Sequence, residues 1–370
     1  MVALMRIIAF AIALLSLGLL ADESLPPFEL ADAKPLPSFT AQFQQTDGWT
    51  GADAAYSIPL GRDRLLWVFA DTWIGKIENG RRVGARMVNN TFAWQSLRNR
   101  SGPLRFFWRT DGDALTAVLR PDGKDAWYWP GDGAVIDGQL YLFCKVARRD
   151  DSKPEGFQFD WFGDDLLQIH NPMDEPTVWR FEQRTLPSGL NVPRMSGACL
   201  VEGDYLYAYG LLTTAKEKHL NRPLGVARIH RRHLKTMEMS RWEYWCGDRW
   251  SDNPEKTAAL FRDAAPEMSV SRVRGLPGFV ATYTSLGLSA NILVRHAPLP
   301  EGPWSKPLRV YRCPEEKLML YGAKAHAALA ERDGQLIITY CRNTGSLKEH
   351  VERPEIYFPQ GVEVRLRISR

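Results

Sequence analysis

The sequence predicts an all-β fold, a five-bladed β-propeller in a single domain, on three observations. A two-strand pattern recurs five times, further strand-like runs follow each copy, and both ends of the domain carry segments able to complete a sheet.

The recurring pattern is a polar or small residue, a short apolar strand, a turn, and a second apolar strand rich in aromatics. The first copy runs Asp53 to Pro59, turns at Gly61-Arg62-Asp63 and continues from Leu65 to Phe69. The second is Asp132 to Ile136, Asp137-Gly138, then Leu140 to Phe143; the third is Ser196 to Val201, Glu202-Gly203-Asp204, then Tyr205 to Tyr209. The fourth is Glu267 to Val273, a turn through Gly275 and Gly278, then Phe279 to Tyr283; the fifth is His326 to Ala330, Asp333-Gly334, then Leu336 to Tyr340. Asp-Gly and Gly-Asp between short apolar strands are strong hairpin signals. Runs such as Val88 to Trp94, Leu166 to His170, Leu224 to His230 and Ile292 to His296 extend each hairpin toward four strands. The copies lie about 60–80 residues apart, beyond the usual propeller period of about 40–50, so long loops are expected between strands. Ser38 to Phe43 and Val362 to Ile368 alternate apolar and polar residues and are expected to pair in the last blade.

The N-terminus reads as a signal peptide over residues 1–21: Arg6, an apolar run from Ile7 to Leu20, then Ala21. A Pro-rich linker is expected at 22–37 and the propeller domain at 38–370. Secretion or export to the periplasm follows, with no membrane span in the mature chain. The formal charge of +4 is dispersed, and the one basic run, His230 to Lys235, reads as a solvated loop, so no nucleic-acid partner is expected. Five cysteines form no C-x-x-C pair, and Cys144, Cys199 and Cys341 lie in apolar runs as buried thiols. Neither composition nor spacing fixes an oligomeric state.

If the first strand of each copy is innermost, the residues opening them converge on one mouth of a central channel: Asp53, Asp132, Ser196, Glu267 and His326. Glycoside hydrolysis needs one carboxyl group protonated to serve the leaving oxygen and another ionised as base or nucleophile, and a third can raise the acid's pKa by repulsion. Asp53, Asp132 and Glu267 are therefore the candidate catalytic residues. Sugar rings also want aromatic faces and planar hydrogen-bonding groups. Trp49, Trp73, Trp127 and Trp129 are candidate platforms, while Asp71, Asn90, Arg194 and His326 are candidate substrate ligands. Arg194 and His326 would equally suit phosphate. No cofactor is expected, and a calcium ion in the channel would need several oxygen ligands that the sequence does not place.

Gly48 to Ser57, Phe69-Ala-Asp71-Thr-Trp73, Trp127-Tyr-Trp-Pro-Gly-Asp132, Pro266-Glu267-Met-Ser-Val and Ala297 to Ser305 resemble a family of five-bladed propellers, formerly of unknown function, that includes endo-D-arabinanases. More distantly, the chain is similar to the arabinanase and β-fructosidase propeller glycosidases. That resemblance implies Asp53 as nucleophile or base and Glu267 or Asp132 as acid. Those propellers usually carry an acid on the third inner strand, where this chain has Arg194-Met195-Ser196. The sequence thus leads to an exported glycoside hydrolase acting on a polysaccharide, with arabinan or another furanoside polymer as one candidate. The alternative is a non-catalytic carbohydrate-binding propeller in which the same acids only bond hydroxyls.

Overall fold

Turn chemistry sets the hairpins. Asp137 and Gly138 both take positive φ, 51° and 80°, between the strands Ala126–Ile136 and Gln139–Arg149, the combination that a tight turn matching strand twist requires. A computed structural model describes residues 25–123, 125–153, 157–213, 222–315 and 317–369 of the chain. The leader read at 1–21 lies outside the described residues.

Among them the architecture is all-β. Five antiparallel sheets of four or more strands follow one another along the chain. The first orders Tyr56–Pro59, Arg64–Phe69, Thr91–Ser96 and Arg105–Phe107; the second orders Ala126–Ile136, Gln139–Arg149, Phe159–Ile169 and Phe181–Thr185. The third begins Ala198–Glu202, Tyr205–Leu211, Leu224–His230, and the fourth orders Met268–Ser271, Phe279–Thr284, Asn291–Ala297 and Leu308–Arg312. The fifth orders Met319–Ala325, Gln335–Asn343, Gln360–Ile368 and Phe28–Pro35. A separate three-stranded sheet, which the sequence did not announce, is formed by Asp47–Ala52, just before the first sheet, with Thr72–Glu78 and Arg81–Val88, inserted between that sheet's second and third strands.

Apolar side chains pack between consecutive sheets rather than in one centre. Tyr56, Leu66 and Phe92 meet Leu140, Leu142 and Leu167; Phe143 and Leu166 meet Leu206 and Ile229; Tyr209 and Val226 meet Met268 and Tyr283; Val280 and Val294 meet Leu336 and Val364. A fifth cluster joins the last sheet to the first, with Ile337 and Phe358 against Trp67 and Phe69. Cys144, Cys199, Cys313 and Cys341 are buried free thiols within these layers, and Cys246 is free and half-buried.

Four expectations are corrected. The Pro-rich segment is not a linker: Phe28–Pro35 pairs antiparallel with Gln360–Ile368, from Phe28 opposite Ile368 to Pro35 opposite Val362. Its prolines are tolerated because this strand is the outer edge of its sheet, where missing N–H donors cost nothing. Ser38 to Phe43, expected as the closing strand, is instead helical, Pro37–Thr40 followed by Ala41–Phe43. Pro37 presets the first helical turn, and Phe39 and Phe43 are spaced for one helix face as well as for alternation. The third correction concerns the fifth copy, whose first strand is Met319–Ala325 and not His326–Ala330. The Gln335 side-chain oxygen Oε1 accepts from the backbone amides of Glu331 and Arg332, at 2.7 and 3.1 Å, and so holds a wide return loop in place of a tight Asp-Gly hairpin. The basic run is likewise no loop: Arg231–Lys235 forms one helical turn capped by His230, with Leu234 buried.

Candidate active site

The site is built at the ends where the inner strands begin. Asp53 follows Asp47–Ala52, and the next two residues, Ala54 and Ala55, both have positive φ (65° and 56°). Left-handed backbone costs a non-glycine residue about 1–2 kcal/mol, so this turn is held by its surroundings. The Asp53 amide donates to the Asp71 carbonyl at 3.4 Å and the Asp53 carbonyl accepts from Ala55 at 3.0 Å, which brings the two aspartates side by side.

Their carboxyl groups are unlike ordinary ones. Asp53 is pushed up to about 7, chiefly because it is withdrawn from water, with Asp71 and Glu267 adding repulsion. Hydrogen bonds from Tyr321, which donates to Oδ2 at 2.6 Å, and from Tyr357 oppose the rise, while Oδ1 has no hydrogen-bond partner. Asp71 is raised to about 6 by burial, opposed by hydrogen bonds from Trp129 Nε1 at 2.8 Å and Asn89 Nδ2 at 3.2 Å, both to Oδ1. Repulsion from Asp71 helps keep Asp53 protonated to higher pH than its neighbour.

Glu267 is the opposite case. Burial alone would raise it, but Lys324 Nζ at 2.8 Å and Lys145 Nζ at 3.6 Å hold it down to about 2. Both lysines are buried, Lys324 at 1% exposure and Lys145 at 7%, so each needs this carboxylate as its counter-charge. Lys324 also donates to the Gly322 carbonyl at 2.7 Å and lies 4.3 Å over the Tyr56 ring. Gly322 has φ of 65°, and a Cβ there would stand 3.0 Å from Glu267 Oε2 and 3.2 Å from Lys324 Nζ, so glycine keeps the ion pair uncrowded. Across the second sheet, Lys145 stands opposite Trp129 on one side and Asp164 on the other. Asp164 Oδ1 accepts from Ser196 Oγ at 2.7 Å and Trp161 Nε1 at 3.1 Å, and burial raises this acid to about 6.

Several sequence-derived candidates take other places. Asp132 is not beside Asp53. Its strand begins six residues earlier than the pattern implied, at Ala126, and Asp132 lies in the bulge between Pro130 and Gly133. There its carboxylate accepts from the amides of Gly133 and Cys199, each at 2.9 Å, and burial raises it to about 6. It lines a cavity of about 300 Å³ with Tyr56, Ser269, Lys324 and His326. His326 ends its inner strand rather than opening it. Its ring nitrogens bond Ser57 at 2.7 Å and Thr339 at 2.8 Å, and burial lowers it to about 3, which keeps it neutral. Trp49 is 1% exposed, bonds Thr91 at 3.1 Å and stacks on Phe106, so it offers no free face. Trp73 is likewise buried, its indole donating to His350 Nδ1 at 3.2 Å. Asn90 is spent on backbone, donating to Leu119 and Tyr128 carbonyls and accepting from the Leu119 amide; its neighbour Asn89 reaches the site instead. Trp129 is partly exposed and packs on Trp127 and Phe159 beside Asp71, and Arg194 lies 4.4 Å over the Trp161 ring near Asp164. The sequence reading missed Lys145, Asp164, Tyr321 and Lys324. Single charges inside apolar strands, as in Leu142-Phe143-Cys144-Lys145-Val146 and Gly322-Ala323-Lys324-Ala325, were the available signal, because a buried charge demands a partner.

Among the described residues no group of three or more His, Cys, Asp or Glu side chains is disposed to hold a metal ion, and no helix is long and apolar enough to cross a membrane.

Comparison with known proteins adds the following. Residues 37–364 match the family model described as a domain of unknown function, DUF5005. No curated protein matches the sequence. A "putative hydrolase" from Bacteroides ovatus has the same fold, with a TM-score of 0.73 at 17% identity over 93% of each chain. Xylan β-1,4-xylosidase from Bacillus halodurans aligns with a TM-score of 0.45 at 9% identity, over 87% of this chain and 53% of that one. A GH43_1 enzyme from Xanthomonas citri, complexed with xylose, aligns with a TM-score of 0.42 at 13% identity over 90% and 93%.

Proposed function

This chain belongs to the DUF5005 family, a domain of unknown function, and from the geometry of its own site we propose that it is an exported glycoside hydrolase. The five sheets are the blades of one closed propeller, its ends joined where Phe28–Pro35 pairs with Gln360–Ile368. The observation that carries the proposal is the pair Asp53 and Asp71, raised to about 7 and about 6, beside a Glu267 held ionised at about 2. General acid catalysis depends on a buried acid poised near neutrality.

In this reading Asp53, the last of the pair to lose its proton, protonates the glycosidic oxygen. Asp71 is ionised and acts as base or nucleophile, held in orientation by Trp129 and Asn89. Glu267 cannot be the acid, because its lysine pair keeps it charged. Instead its negative charge raises Asp53 and, with Asp71, favours the positive charge that develops on the sugar. Asp132, tied to two backbone amides, holds the inner strands together and takes no chemical step. The substrate is a polysaccharide, with arabinan or another furanoside polymer as the leading class, bound with Trp129 as its aromatic face. The leader at 1–21 places the enzyme outside the cytoplasm, secreted or periplasmic. The test is reducing-end release from arabinans, fructans, xylans and mannans by the mature chain. Turnover of one class, abolished by Asp53→Asn with binding retained, supports the proposal; tight binding without turnover by the wild type would leave a carbohydrate-binding propeller.

A further inference from the structure

A line of buried side chains leads from the inserted three-stranded sheet to Asp53, and every link has a fixed direction. Trp73 Nε1, which can only donate, bonds His350 Nδ1 at 3.2 Å. His350 Nδ1 therefore carries no hydrogen, and the ring is neutral with its proton on Nε2. Nε2 lies 2.7 Å from Asn343 Oδ1 and donates to it. The amide orientation of Asn343 is fixed independently, because the Thr344 backbone N–H also donates to Oδ1, at 2.7 Å. Asn343 Nδ2 must then donate to the Tyr321 hydroxyl oxygen, at 3.1 Å, and Tyr321 passes its own hydrogen to Asp53 Oδ2 at 2.6 Å.

We propose that His350 is a positioning residue: it sets the polarity of the chain Trp73, His350, Asn343, Tyr321, Asp53, and so confines the acid's proton to Asp53 Oδ1. A proton on Oδ2 would face the Tyr321 O–H, whereas Oδ1 is the atom without a hydrogen-bond partner. The inference rests on Asp53 as the acid but adds a role for residues far from it in the fold. His350 sits on the short helix Leu347–Glu352, which Arg82 fastens by donating to the carbonyls of His350, Thr50 and Pro354. The groups facing His350 are Arg82, Glu349 and Tyr357; those facing Asp53 are Asp71, Glu267, Tyr321 and Tyr357. Burial and Arg82 lower His350 to about 4, so the ring stays neutral over the range in which Asp53 titrates. The polarity thus survives the acid's own proton loss. Function would be lost through the relay if the ring were replaced by one that cannot donate.

The experiment follows the Asp53 carboxyl by 13C NMR titration in the full mature chain, with the imidazole 15N shifts of His350 recorded alongside. Tyr321→Phe and His350→Phe should raise the Asp53 midpoint by about half to one pH unit, since each removes or weakens a hydrogen bond to the ionised form. His350→Gln, which restores a donor toward Asn343 Oδ1, should return the midpoint to the wild-type value. In turnover assays His350→Phe should lower kcat about tenfold, in the range of lost acid catalysis, with KM unchanged. An unchanged midpoint in His350→Phe, or a wild-type ring protonated on Nδ1, would overturn the relay. The titration needs no turnover, so an intact relay in a chain that cleaves no polysaccharide would sink the proposed function and leave this inference standing.

Discussion

Replacing Asp53 by Asn should make the protein more stable as it destroys the activity, and the size of the gain can be worked out. The Asp53 pKa rises from 3.8 to about 7 on folding. Between those values the native state keeps a proton that the unfolded chain has released, so wild-type stability falls as pH rises through the window. At about 1.4 kcal/mol per unit the full loss is about 4 kcal/mol. Partial solvation of the site reduces it to about 2–4 kcal/mol. Asn keeps an oxygen that can accept from Tyr321 and has no charge to desolvate, so its stability carries no such slope. Urea unfolding of wild type and Asp53→Asn should therefore agree within about 0.5 kcal/mol at pH 4. The variant should lead by about 2–4 kcal/mol at pH 8. A difference that does not grow with pH, or a variant less stable at pH 8, would refute the reasoning that the site stores this energy in a buried acid.

Other substitutions act with different signs. Glu267→Gln leaves Lys324 and Lys145 without their counter-charge and should cost about 3–5 kcal/mol at pH 7 by urea unfolding. Because Glu267 is depressed to about 2, its contribution is present above about pH 4.5 and fades as pH falls toward 2, so the deficit should shrink in acid. Trp129→Phe removes a donor that holds Asp71 down. The acidic limb of the kcat/KM profile should move up by about one pH unit, and an unmoved limb would take Asp71 out of the mechanism. Deleting residues 1–37 strips the outer strand from Gln360–Ile368. It should lower stability by at least about 2 kcal/mol, the worth of burying Phe28 alone, and light scattering should report association through the bared edge.

What the residues announced in advance was the repeat. Asp137-Gly138 and Glu202-Gly203-Asp204 are local signals, and the hairpins they close are present because turn geometry needs only neighbours in sequence. The fifth hairpin misled because Asp333-Gly334 has the same letters but belongs to a loop organised by Gln335, a contact outside any turn template. The consequences for the site were large. Assigning the fifth copy's first strand to His326 hid Tyr321 and Lys324, and starting the second copy's first strand at Asp132 concealed that this acid lies in a bulge within a longer strand.

The site was legible in part for the same reason. Asp53 and Glu267 could be singled out because an acid beside a short apolar strand is conspicuous. Their relative roles could not, since the pKa of each depends on partners about 50 or more residues away: Tyr321 for Asp53, Lys145 and Lys324 for Glu267. The expected division of labour is accordingly reversed in the proposal, with Asp53 protonated and Glu267 charged. Trp49, Trp73 and Asn90 illustrate the other difficulty. Indoles and amides near a site look alike in sequence whether they face substrate or core, and here buried hydrogen bonds to Thr91, His350 and backbone carbonyls claim them.

The most direct measurement is the titration of individual aspartate carboxyls by 13C NMR between pH 3 and 9, assigned by comparing wild type with Asp53→Asn and Asp71→Asn. Asp53 should change protonation near pH 7 and Asp71 near pH 6, the latter in the same range as Asp132 and Asp164, and each substitution should erase its own signal and lower that of the other member of the pair. If every aspartate has ionised by about pH 4.5, as free carboxyl groups do, no poised acid exists and the catalytic account is wrong.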